Sequence, residues 1–132
     1  MLVQMVLLML LMTTESGEAS WLIPKKKTVN ITNDLGADMD LKVHCKSKDD
    51  DLGQKLLTYK GYFSFRFRPN AWGTTRFYCL MSWEQVSHWF DIYLDIRDAD
   101  RCVVCVWSIQ TTGPCMLNDK THHFDICFPW NP

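Results

Sequence analysis

Met39-Asp40-Leu41-Lys42-Val43-His44-Cys45 alternates apolar and polar side chains without a break. Successive side chains of a strand point to opposite faces, so Met39, Leu41, Val43 and Cys45 share one buried face and the polar residues share the wet one. The same period of two recurs along the chain. Val29 and Ile31 alternate with Asn30 and Thr32, and Phe63, Phe65 and Phe67 with Ser64, Arg66 and Arg68. Phe90, Ile92, Leu94 and Ile96 alternate with Asp91, Tyr93, Asp95 and Arg97. Val103, Cys105, Trp107 and Ile109 form another apolar row, and His122, Phe124, Ile126 and Phe128 a last one. Only Gly53 to Tyr59 competes, as a short turn of helix. Turn clusters separate the runs at 33–36, 47–53, 69–73, 98–100 and 112–114. Runs of this length between such turns predict an all-β fold, an antiparallel β-sandwich of about eight strands.

The amino terminus reads differently. Val6 to Met12 is uninterrupted and apolar, too short to span a bilayer as a helix. Polar residues follow, then the small Gly17 and Ala19. This pattern predicts a signal peptide over residues 1–19, cleaved after Ala19, although no Lys or Arg precedes the apolar run. A single domain over 20–132 remains, with no stable membrane insertion expected. Losing Glu15 and Glu18 moves the formal charge from -1 to +1. So balanced a charge gives no reason to expect nucleic acid as a partner. All six cysteines lie in the remaining part: Cys45, Cys79, Cys102, Cys105, Cys115 and Cys127. An even count in a short exported chain reads as a disulfide framework, and spacing alone does not choose among the pairings.

Catalytic and metal chemistry find little support. The spacing of Cys102 and Cys105 suits a zinc ligand pair, but no second tight pair accompanies it and export favours bridges over thiolates. Residues three apart on a strand face opposite ways, so these two are not expected to pair with each other. His44, His88, His122 and His123 are scattered, without a ribonuclease-like cluster around them. No nucleophile elbow, zinc-protease helix or phosphate loop is present, so neither catalytic residues nor a cofactor or metal is expected. Asn30-Ile31-Thr32 is an N-glycosylation sequon whose Asn30 faces solvent if Val29 and Ile31 face the core. Asp49, Asp50 and Asp51 read as a solvated loop rather than a calcium site, since the alternating ligands of a calcium loop are missing. Trp72, Trp83, Trp89 and Trp107 lie in or beside strands, where core packing is the first explanation. Trp89 differs: by parity it sits on the outward face with Asp91 and Tyr93, as a wet Trp–Tyr row fit for contact.

Several segments, in this order, resemble the plant self-incompatibility S-protein homologue family. The specific part is His44-Cys45-Lys46-Ser47-Lys48-Asp49-Asp50-Asp51-Leu52-Gly53. Phe65-Arg66-Phe67-Arg68-Pro69-Asn70, Gly73 to Cys79, Phe90 to Tyr93, Cys102 to Trp107 and Gly113-Pro114-Cys115 add to it. The resemblance implies a secreted, monomeric β-sandwich without catalytic activity, a ligand for a membrane receptor protein on another cell. The first-described members act in pollen rejection. A hydrolase-like defence protein is the alternative reading. Cys45, Cys79, Cys102, Cys105 and Cys115 match the family, while Cys127 lies beyond its usual pattern. On that footing, Cys79–Cys105 and Cys45–Cys115 are expected as core bridges and Cys102–Cys127 as a clamp on the tail. The contact residues expected on this scaffold are Asp49, Asp50 and Asp51 in one loop, Asp98 and Asp100 in another, and Trp89.

Overall fold

The structure is a computed structural model that describes residues 23–130. The expected signal peptide and its cleavage point after Ala19 lie outside the described residues. The described residues form nine strands and one short helix, in order β1 (Lys27–Asn33), β2 (Leu41–Lys46), β3 (Asp51–Leu57), β4 (Tyr62–Phe67), β5 (Arg76–Trp83), β6 (Val86–Leu94), α1 (Asp95–Asp98), β7 (Val104–Gln110), β8 (Gly113–Asn118) and β9 (His123–Cys127). One sheet runs β4-β1-β7-β8-β9 and the other β3-β2-β5-β6. Every neighbouring pair is antiparallel except β1 with β7, which is parallel.

The alternating rows meet between the sheets. Val29 and Ile31 from β1, and Trp107 and Ile109 from β7, are fully buried in one sheet. Leu41 and Val43 from β2 and Met81 from β5 are fully buried in the other. The inward phenylalanines of β4 pack on Phe77 and Tyr93, with ring centroids 4.6–5.0 Å apart for Phe65–Phe77, Phe67–Phe77 and Phe67–Tyr93. Buried Asn33 joins the layers at the end of β1. Its Nδ2 donates to the carbonyls of Met39 and Leu57, and its Oδ1 accepts from the Leu35 amide.

Three sequence expectations change here. Gly53 to Tyr59 is not helical: β3 occupies most of it, as an edge strand pairing β2 from Leu41↔Leu57 to His44↔Gln54. An edge strand buries little, so its apolar pattern is weak. The row expected from Phe90 to Ile96 breaks. Tyr78 faces Asp91 but Phe77 faces Tyr93, so Ile92 is an extra residue in β6. That bulge shifts the parity by one and turns Tyr93 inward, fully buried. Ile96 leaves the sheet altogether, on α1, and is 90% exposed.

The disulfides are also paired differently, as Cys45–Cys79, Cys102–Cys105 and Cys115–Cys127. Cys45 and Cys79 are direct cross-strand partners within one sheet, with Cα atoms 4.0 Å apart. Cys115 and Cys127 are likewise partners on β8 and β9, also at 4.0 Å. Neither pair crosses the sandwich, so Cys79–Cys105 and Cys45–Cys115 do not form. Cys102 precedes β7 in an irregular stretch, so strand parity does not govern it. Its Cα lies 5.2 Å from that of Cys105, and no cysteine remains free to make the Cys102–Cys127 clamp.

Candidate functional site

The outer face of the β3-β2-β5-β6 sheet carries an aromatic row. Inward Phe77, Cys79 and Met81 of β5 are buried, which leaves Arg76, Tyr78 and Leu80 pointing out. Trp89 on β6 lies opposite Leu80, and Asp91 lies opposite Tyr78, on the same face. Tyr78 and Trp89 pack with tilted rings, centroids 5.7 Å apart, and the Arg76 guanidinium lies 4.7 Å over the Tyr78 ring. Arg76 Nε also donates to Asp91 Oδ1 at 2.7 Å. Together these residues line a shallow cleft of about 290 Å³. Trp89 keeps 49% of its surface in solvent, as expected of it, but its neighbour in the row is Tyr78 rather than Tyr93.

A larger groove of about 890 Å³ adjoins that cleft and shares Arg76 and Tyr78 with it. One wall holds Asp49 and Asp50; Arg66 and Arg68 line it as well. Beside them stands a loop that composition alone gave no role. Residues 69–75 fold around the Asn70 side chain, whose Oδ1 accepts from the amides of Trp72 and Thr74. Asn70 Nδ2 donates to Thr74 Oγ1, and the Asn70 amide donates to Thr75 Oγ1. The loop so held presents Trp72 with 87% of its surface exposed. Trp72 is therefore not a core residue. The Pro69–Gly73 turn signal was the clue, because a tight polar turn leaves no apolar layer to cover a tryptophan.

The expected aspartates fare unequally. Asp49 and Asp50 are exposed on the groove wall. Asp51 belongs to β3, where it accepts from the Gly53 amide at 2.9 Å and meets His44 Nε2 at 2.6 Å. The Gly53 amide first, and His44 second, hold the Asp51 carboxyl below its ordinary value. Asp98 is not a contact residue at all, since it is fully buried. Its carboxylate accepts from Arg97 Nε and Nη2 at 2.7 and 2.8 Å, and from the Leu94 amide at 3.0 Å. Arg97 lies about 5 Å from the rings of Phe90, Trp107 and Phe128, so this ion pair is packed into the aromatic core. A carboxylate seen from sequence as part of a polar turn is instead the partner of a largely buried guanidinium. Asp100 stays exposed, in a separate depression with Arg101 and Lys120.

The remaining candidates are dispersed. Asn30 points outward from β1, where its Nδ2 donates to Ser64 Oγ at 2.7 Å and its Oδ1 accepts from Thr32 Oγ1 at 3.2 Å. His44 is occupied by Asp51, and His88 stacks on Trp130 at 4.8 Å. No histidine lines the cleft or the groove. All six cysteines are bridged, so none offers a thiolate. Among the described residues, no three His, Cys, Asp or Glu side chains group as metal ligands.

The model of the family described as plant self-incompatibility protein S1 matches residues 28–130. The chain is 50% identical over 109 residues to S-protein homolog 3 of Arabidopsis thaliana, covering 80% of this chain and 73% of the relative. It is 49% identical over 111 residues to S-protein homolog 2 of the same plant, covering 80% and 69%. A solved structure of SPH (self-incompatibility protein homologue) proteins, described as a widespread family of small, highly stable, secreted proteins from plants, superposes with a TM-score of 0.57. That likeness holds at 20% identity and covers 83% of this chain and 97% of the other, and it supports the two-sheet fold. By the family match and the identity to the S-protein homologues together, this chain belongs to the plant self-incompatibility protein S1 family.

Proposed function

We propose that this chain is exported, loses residues 1–19, and acts outside the cell as a non-enzymatic ligand for a membrane receptor protein on another cell. Three disulfides fit an oxidising compartment. The observation that carries the reading is the outward row of Trp89, Tyr78 and Arg76 on a sheet whose other face is core. Trp, Tyr and Arg are the residues that concentrate binding energy at protein interfaces. A row fixed on a sheet also loses little side-chain freedom when a partner docks. Asp49 and Asp50 flank the row and tune encounter rather than affinity. Asn30, on the outer face of the other sheet, takes a glycan that leaves the row clear. Replacing Thr32 with alanine then lowers the mass of the exported protein by one glycan.

Position-specific cross-linking tests the receptor face. A photo-reactive residue replaces Ser87, which shares the outward face with Trp89, or Lys120 in the turn before β9. Capture of a membrane protein from intact cells is expected from position 87 alone. Equal capture from both positions, or from neither, contradicts the assignment.

A further inference from the structure

The groove beside the receptor face has chemistry of its own. Its free charges are of both signs and do not neutralise one another. Among the described residues, no ion pair engages Arg66, Asp49 or Asp50, although all three line the same groove. Arg68 gives only one Nη1 bond, to the Pro24 carbonyl, which leaves its charge unanswered. Arg76 is already paired with Asp91. A simple polyanion would meet the two aspartates, and a polycation would meet the arginines. A ligand rich in hydroxyls meets neither obstacle. Each hydroxyl donates to a carboxylate and accepts from a guanidinium, so it uses both kinds of group at once.

Two further features narrow the ligand. Trp72 stands 87% exposed on a loop fixed by Asn70, with an aromatic surface large enough to cover the C–H face of a pyranose ring. With Lys48 also on the lining, the unpaired charges are three basic and two acidic. A sugar chain bearing carboxylates offers partners to the basic groups, while its hydroxyls, which a simple polyanion lacks, donate to the two aspartates. A guanidinium binds a carboxylate through two parallel bonds. The volume of about 890 Å³ lies in the range of small-ligand clefts. We infer that this groove binds a uronic-acid oligosaccharide. Trp72 stacks on a ring, Arg66 and Arg68 take carboxylates, and Asp49 and Asp50 accept from hydroxyls. The ligand is additional to the membrane receptor, and its site is offset from Trp89.

Calorimetric titration of the exported protein with an oligogalacturonide, in the presence of a chelator, tests this. Cellohexaose serves as the neutral sugar control and poly-glutamate as the polyanion control. Saturable binding of the oligogalacturonide is expected, weakened by about tenfold or more in Trp72→Ala and in Arg66→Ala at unchanged thermal midpoints. Both controls should bind at least about tenfold more weakly than the oligogalacturonide. Trp89→Ala should bind it as the wild type does, which separates this site from the receptor face. The inference is overturned by any of four results. These are no binding of the oligogalacturonide, equal binding of poly-glutamate, equal binding of cellohexaose, or full retention by both groove variants.

Discussion

Asp98 and Asp100 stand two positions apart, one sealed against Arg97 and the Leu94 amide and the other in water. Removing one partner of a buried pair leaves an uncompensated charge, so Asp98→Ala is expected to cost about 3–5 kcal/mol in denaturant unfolding. Asp100→Lys should stay within about 0.5 kcal/mol of the wild type. Equal effects would refute the burial assigned to Asp98. Asp51 gives a pH dependence. Its carboxyl is held low in the folded state, by the Gly53 amide before His44, so the folded form binds fewer protons than the unfolded one near the ordinary aspartate value of about 3.9. Its contribution is present above that value and is lost as pH falls through the lowered one. The stability gap between wild type and Asp51→Asn should therefore be full near neutrality and close in acid. A gap that widens in acid would contradict the bonding seen at Asp51. Neither carboxylate could be told from its neighbours by sequence, because both lie in polar clusters and their roles come from what the fold packs against them.

At the level of elements, strands that bury one whole face were plain in the residues. β1 and β2 alternate in their residues, and each alternation marks the face that became core. β5 buries one face as fully, but its outward Tyr78 and Leu80 blur the alternation in sequence. Three further features hid for physical reasons. β3 is an edge strand with little apolar content to periodise. The bulge at Ile92 hid because one inserted residue reverses every later parity, which sent Tyr93 inward and spoiled the expected Trp89–Tyr93 row. The 69–75 loop hid because its order comes from one side chain. Asn70→Ala removes the acceptor of the Trp72 and Thr74 amides. Amide exchange over 71–75 should then quicken, while global stability changes by no more than about 1 kcal/mol. Unchanged exchange would mean the loop is held by something other than Asn70.

For the molecule as a whole, the two-layer all-β architecture was legible, and the disulfide connectivity was not. Six cysteines announce bridges, but the choice among pairings depends on which strands become neighbours, and sheet order is not written in alternation. Cys45–Cys79 closes a separation of 34 residues, Cys115–Cys127 one of 12 and Cys102–Cys105 one of 3. Chain entropy ranks them in that order. Replacing both Cys45 and Cys79 with alanine should cost about 4 kcal/mol, against about 2 kcal/mol for the Cys102 and Cys105 pair. A reversed ranking would show that strain or residual structure outweighs loop closure here.

Recognition on the outer sheet face is tested most directly by equilibrium binding to plant membranes, comparing wild type with Trp89→Ala. Trp89 is half exposed and packs on Tyr78, so the thermal midpoint of the variant is measured beside its binding as the control for folding. Saturable, protease-sensitive binding by the wild type and an affinity lower by about tenfold in the variant are expected. Identical binding by the two proteins, or wild-type binding that survives protease treatment of the membranes, would contradict a receptor-reading face at Trp89.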